Sequence, residues 1–170
     1  MPVSNIDDAW NGKNSLSYQI SYQGNNLTYQ FKISSYENRV NKTDYHFDES
    51  YIAYTNWNLV FGFGSLNRWW GPTHNNNLIL SNFARPSPGV FVQSLSGFEF
   101  DGLLSFIGKT NFSLFVNRLE SNRAVPNPYL IGSRMTFIPF NNLQIGFTRT
   151  MMIGGENRKE NGDILIKAFF

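Results

Sequence analysis

Ser15-Leu16-Ser17-Tyr18-Gln19-Ile20-Ser21-Tyr22-Gln23, then Gly24-Asn25-Asn26, then Leu27-Thr28-Tyr29-Gln30-Phe31-Lys32-Ile33-Ser34 alternates apolar and polar residues on both sides of a turn. A period of two is the strand period, so Leu16, Tyr18, Ile20 and Tyr22 share one face and Ser17, Gln19 and Ser21 the other. Gly24-Asn25-Asn26 suits a tight reversal, because Gly and Asn tolerate the positive φ such turns need. The stretch predicts a hairpin of nine-residue and eight-residue strands. That is close to the roughly 9 to 11 residues with which a tilted strand crosses a bilayer.

Alternation alone is the same for a lipid-facing strand and for the wall of a soluble sandwich. The polar face separates them. A water-exposed exterior is normally rich in Lys and Glu, whereas this one is Ser, Gln and Thr with a single Lys32, which fits a polar lumen. Composition agrees. Asp, Glu, Lys and Arg make up 15% of the chain and aromatic residues 16%, against roughly 25% charged residues in soluble domains. The 170 residues suit one domain. A net charge of +2 with scattered basic residues gives no footprint for nucleic acid, and the absence of cysteine excludes a disulfide scaffold. No apolar run approaches the roughly 20 residues of a membrane-spanning helix, so any bilayer contact is made by strands.

Further strands are predicted at 51–63, 88–94, 97–108, 111–120, 129–139, 142–152 and 163–170, without helical periodicity. The expected fold is all-β: an antiparallel meander of about eight or nine strands curving as about half of a larger barrel. Trp57, Leu59, Phe61 and Phe63 join the outward apolar face, and Gly62 and Gly64 point inward, where another piece of chain can approach, the best candidate being Trp69-Trp70-Gly71-Pro72. Connections alternate between short, at 24–26, 109–110 and 140–142, and long, at 35–50, 121–128 and 154–162. Counting crossings, the segment 65–87 leaves from the short-turn end and folds into the lumen as a plug. Met1–Asp8 encodes no secretory signal, so the chain is expected to be part of a longer protein.

That segment carries the densest signature. Arg68-Trp69-Trp70-Gly71-Pro72 cannot continue a strand, because adjacent indoles point to opposite sides and Gly-Pro ends regular structure. Asn82, Arg85 and Pro86 close it, and the Arg68 and Arg85 forks suit carboxylates or loop carbonyls. It reads either as a loop folded on its own aromatic residues or as a platform for stacking sugars. Catalysis has little support. His46 and His74 lack metal-ligand spacing. The pairs Asp48-Glu49 and Glu99 with Asp101 read as ordinary loop or lumen charges. No cofactor motif is present.

The order of Trp69-Trp70-Gly71-Pro72, Asn77-Leu78-Ile79-Leu80-Ser81-Asn82-Phe83-Ala84-Arg85-Pro86, Asn117-Arg118-Leu119-Glu120, Arg123-Ala124-Val125-Pro126-Asn127 and Ile131-Gly132-Ser133-Arg134-Met135 resembles the Wzi-type capsule assembly proteins. Ile145-Gly146-Phe147-Thr148-Arg149-Thr150 and Gly154-Gly155-Glu156 extend the resemblance, while Phe83, Asn122 and Ile153 depart from the family pattern. It implies a non-enzymatic outer-membrane lectin, a monomer set in outer-membrane lipid with capsular or exopolysaccharide as its partner. External loops would carry the sugar contacts: Tyr36, Asn38, Arg39, Tyr45 and His46 in one, Asn122 and Arg123 in the next, and Asn157, Arg158 and Lys159 in a third. Arg134, in phase with Gly132 and Thr136, is expected inside the barrel with Glu120 or Glu156 as its carboxylate. Arg149 is in phase with apolar Leu143, Ile145 and Phe147; either a bulge turns it into the luminal charge network or it lies at the rim. The rival readings are a porin-type channel on the same strands and a soluble β-sandwich carbohydrate-binding module.

Overall fold

A computed structural model describes residues 15–37, 43–70, 79–80, 85–156 and 158. The strands are β1 (Ser15–Gln23), β2 (Leu27–Glu37), β3 (Thr43–His46), β4 (Tyr51–Asn56), β5 (Leu59–Gly64), β6 (Gly89–Ser94), β7 (Lys109–Arg118), β8 (Tyr129–Phe140) and β9 (Leu143–Ile153). They form one antiparallel sheet in the order β1-β2-β4-β5-β6-β7-β8-β9, with β3 beside the far end of β2. Among the described residues β1 and β9 are the edges of the sheet. The predicted strand 163–170 lies outside the described residues.

The first hairpin has the register that its alternation requires, from Ser15 opposite Tyr36 to Gln23 opposite Thr28. β3 and β4 together run along β2, interrupted by residues 47–50 opposite 31–33. There the Ser50 hydroxyl replaces the backbone ladder, accepting from the Lys32 N–H at 2.9 Å and donating to the Lys32 carbonyl at 3.0 Å. Lys32 Nζ pairs with Glu49 Oε2 at 2.7 Å on the inner face.

Two predicted strands are corrected. The run 51–63 is a hairpin: Trp57 and Asn58 both have positive φ, 47° and 65°, and form a two-residue turn whose twist matches the flanking strands. The segment 97–108 contributes only the bridge of Phe98 to Thr110 and a 3-10 helix over Gly102–Ile107. The extra crossing at 57–58 moves the departure point of 65–88. It leaves from the long-loop end, which it shares with 119–128, and not from the short-turn end. At the opposite end are the turns 24–26, 57–58 and 141–142, with 95–108 as the one longer connection.

Asn58 holds that longer connection. Its Oδ1 accepts from the Ser96 N–H at 2.9 Å and the Ser96 hydroxyl at 2.8 Å, and its Nδ2 donates to the Gly97 carbonyl at 2.9 Å. Asn58→Ala removes all of these and puts Ala where φ is positive. The expected loss is roughly 2 kcal/mol, read as a lowered midpoint in denaturant unfolding of the full-length protein.

The two faces differ in chemistry. The outer face exposes Leu16, Tyr18, Ile20, Tyr22, Phe61 and Phe63, with Ile20 at 68%; Trp57 projects from its turn instead of the wall, 88% exposed. The inner face carries Ser, Thr, Gln and Gly around a small cluster of Ala53, Phe91 and Phe115. Leu66, Trp70 and Leu80 from the segment 65–88 pack onto that cluster. The hollow at Gly62 is filled by Phe91, whose Cζ lies 2.3 Å from where a Cβ would stand. Trp70 is seated instead against Phe115, ring centroids 5.1 Å apart, above Gly132. Close approach over glycine therefore holds, but β8 supplies the seat in place of β5.

Candidate functional site

At the long-loop end the inner face and its connections enclose a cavity of about 1120 Å3. Its walls come from β3, the segment 65–88, the ends of β7 to β9 and the connection 119–128. The length of these connections is what leaves room for it.

Arg68 stands at its floor. The guanidinium lies over the rings of Phe115 and Phe91, 4.4 and 5.5 Å from their centroids, and Nη1 donates to the Leu66 carbonyl at 3.3 Å. Nη2 is buried with no hydrogen-bond partner among the described residues. Burial lowers its pKa to about 10, which still leaves it a cation at neutral pH. Neighbouring Asn117 donates to the Ser87 carbonyl at 2.9 Å while its Oδ1 is buried without a partner among the described residues.

The far end of 65–88 is tied down by charge. Arg85 Nε and Nη2 donate to Asp48 Oδ2 and Oδ1, each at 3.0 Å, the fork-to-fork geometry that only Arg provides. Glu49 pairs with Lys32 and accepts from Asn67 Nδ2 at 3.0 Å. The Asp48-Glu49 pair thus has structural partners, a role that a search for paired catalytic acids does not detect.

Of the residues singled out in the sequence, Tyr45, His46, Arg68, Arg85, Pro86, Glu120, Asn122 and Arg123 line the cavity. Among the described residues four arginines, Arg68, Arg85, Arg118 and Arg123, face two carboxylates there, Asp48 and Glu120. Arg123 Nη1 stands 3.6 Å from Glu120 Oε1 with both side chains well exposed, a pair that solvent screens strongly. Trp69 and Trp70 do not line the cavity, and Arg158 and Glu156 are exposed beyond β9. Asn38, Arg39, Gly71, Pro72, Asn82, Asn157 and Lys159, and the side chain of Tyr36, lie outside the described residues. Among the described residues no cluster of three or more His, Cys, Asp or Glu could hold a metal ion.

The luminal charge network is corrected at two places. Arg134 points inward, but Nη1 donates to the carbonyl of Trp70, a neutral partner in place of Glu120 or Glu156. Arg149 faces outward: the register runs unbroken from Ile131–Met151 to Phe137–Ile145, so no bulge turns it in. Phe115, Asn117, Leu130 and Met152 also line the site. Nothing in their own sequence neighbourhood marks them, apart from Asn117 at the head of an ordered block.

A profile of the family described as capsule assembly protein Wzi matches residues 3–170. An uncharacterized 55.8 kDa protein in the cps region of Klebsiella pneumoniae is 29% identical over 133 residues, 78% of this chain and 26% of that protein. The solved structure of Wzi, an outer membrane protein involved in group 1 capsule assembly in Escherichia coli and a carbohydrate-binding β-barrel, is similar over 88% of this chain with a TM-score of 0.82 and 25% identity. The match covers 35% of that barrel, so the chain spans about a quarter to a third of the length of these relatives.

Proposed function

Because the chain belongs to the capsule assembly protein Wzi family, we propose that it forms part of the wall of a non-enzymatic outer-membrane barrel that holds capsular polysaccharide at its long-loop end. The observation that carries the reading is the cavity, where Tyr45 and His46 meet Asn122 and Arg123 from a separate connection. An exposed phenol offers a stacking face, Asn bonds hydroxyls, and the excess of arginine over carboxylate suits an acidic sugar. The Klebsiella relative lies in a cps region and the Escherichia coli structure binds carbohydrate, which supports the same partner.

The outer apolar face then meets lipid, and the aromatic and aliphatic tips at the short-turn end, Trp57, Leu103 and Phe106, belong to the interfacial girdle. A soluble sandwich would bury that face. Residues 65–70, 79–80 and 85–88 act as part of a luminal plug, held by Trp70 on Phe115 and by Arg85 on Asp48. A plugged lumen argues against the porin reading. The protein works as a monomer, with no cofactor.

The test is the triple change Arg39→Gln, Arg123→Gln, Arg158→Gln in the full-length protein. Retention of an acidic capsule should fall on the order of tenfold or more, at roughly 0.5–1 kcal/mol per charge contact, and should weaken with rising salt as the distance over which the charges act shortens. Heat stability in detergent should not change. Wild-type capsule retention at normal outer-membrane abundance would move the function away from these loops.

A further inference from the structure

We propose that Arg149 and Ser133 form an anchor for a lipid phosphate monoester on the outer face of the barrel wall; the inference rests on the outer-membrane reading above. The two residues are directly opposed across β8 and β9 and both point outward. Along β9 the same face continues as Phe147 on one side and Met151 and Ile153 on the other, and Met135 and Ile131 flank Ser133 on β8. Arg149 is exposed, and neither it nor the Ser133 side chain has a hydrogen bond or ion pair among the described residues.

A charge in this stripe is costly at mid-bilayer and cheaper toward the interface. Arg149 is four residues short of Ile153, the last residue of β9, which at strand rise and barrel tilt puts its Cα on the order of 10 Å below the rim. Its aliphatic stem can run along the wall and carry the guanidinium toward the long-loop end. What it meets there decides whether the position is tolerable. A phosphate monoester carries up to two charges and accepts from both arms of the fork, with the Ser133 hydroxyl as a further donor; a phosphodiester carries one. The leaflet at the long-loop end is the outer one in this reading, so the ligand is its phosphorylated disaccharide lipid and not a glycerophospholipid.

The experiment uses the full-length protein purified in mild detergent and put into nanodiscs with bisphosphorylated lipid A, dephosphorylated lipid A or phosphatidylglycerol, with retained lipid counted by native mass spectrometry. Wild type should retain bisphosphorylated lipid A at least tenfold over the other two. Arg149→Gln should lose that preference, Arg149→Lys should keep only part of it because the fork is gone, and Lys109→Gln, a charge change at the opposite end, should leave it unchanged. Heat-shifted mobility on a gel checks folding of each variant. Equal retention by Arg149→Gln, or equal retention of phosphatidylglycerol by wild type, overturns the proposal. A wild type that does not enter nanodiscs at all sinks the membrane reading itself, a result distinct from one that enters and holds no phosphorylated lipid.

Discussion

Gly132→Val is expected to abolish stable assembly of the wall. A Cβ at this position would stand 2.3 Å from Phe115 Cε1 and 2.9 Å from Trp70 Cη2, so two ring systems must leave their seats. Overpacking alone costs about 1–3 kcal/mol, and losing the packing of a buried ring adds a comparable amount. Together they remove much of a total stability of roughly 5–15 kcal/mol. The measurement is the temperature at which the full-length protein loses its heat-shifted gel mobility, along with the yield of folded protein in membranes. Gly146→Ala is the control on the neighbouring strand, because its Cβ would meet Thr136 Cγ2 at an ordinary 3.6 Å. Equal behaviour of the two variants would mean that the seat over Gly132 is not occupied as described.

Trp70→Ala combined with Arg134→Ala is expected to make the full-length protein conduct ions. Trp70 provides the ring on Phe115 and the carbonyl that accepts from Arg134, so the pair of changes unties the near end of 65–88 while the Arg85–Asp48 clamp still holds the far end. In planar bilayers the wild-type full-length protein should pass little current and the double variant should show porin-like steps. Adding Asp48→Ala should raise the open fraction further, because the second tether goes with it. Large conductance in the wild type would restore the porin reading and leave the plug without a purpose.

The fold was legible where one chemical rule acts alone. From Ser15 to Ser34 each side chain meets only one of two environments, so alternation fixes strands, turn and faces together. It failed where two rules compete. Trp57 continues the apolar alternation of its strand, and that hid a turn made by backbone dihedrals at Trp57 and Asn58. Gly97-to-Gly108 alternates well enough to pass for a strand, yet its glycines at positive φ break it. One missed crossing then put the departure of 65–88 at the wrong end of the sheet. At the site, loop candidates such as Tyr45 and Asn122 were readable by type, but their meeting in one cavity depends on which end each loop occupies. Arg134 was readable as inward-facing; its partner was not, because a backbone carbonyl carries no sequence mark.

Every strand pair in the sheet joins segments that follow closely along the chain, whereas Arg134 reaches the Trp70 carbonyl across 64 positions. Local pairings close small loops and form early; the entropy of closing a long loop must be met before its contacts return anything. Strands can therefore zip hairpin by hairpin while Arg68 and Trp70 wait, unhoused, for β7 and β8 to bring Phe115, Gly132 and Arg134. Docking of 65–88 is then the late event of assembly. Until it happens the nascent sheet carries a loose aromatic, cationic flap, and this interval is when the chain is most exposed to proteolysis and to mispairing with its neighbours.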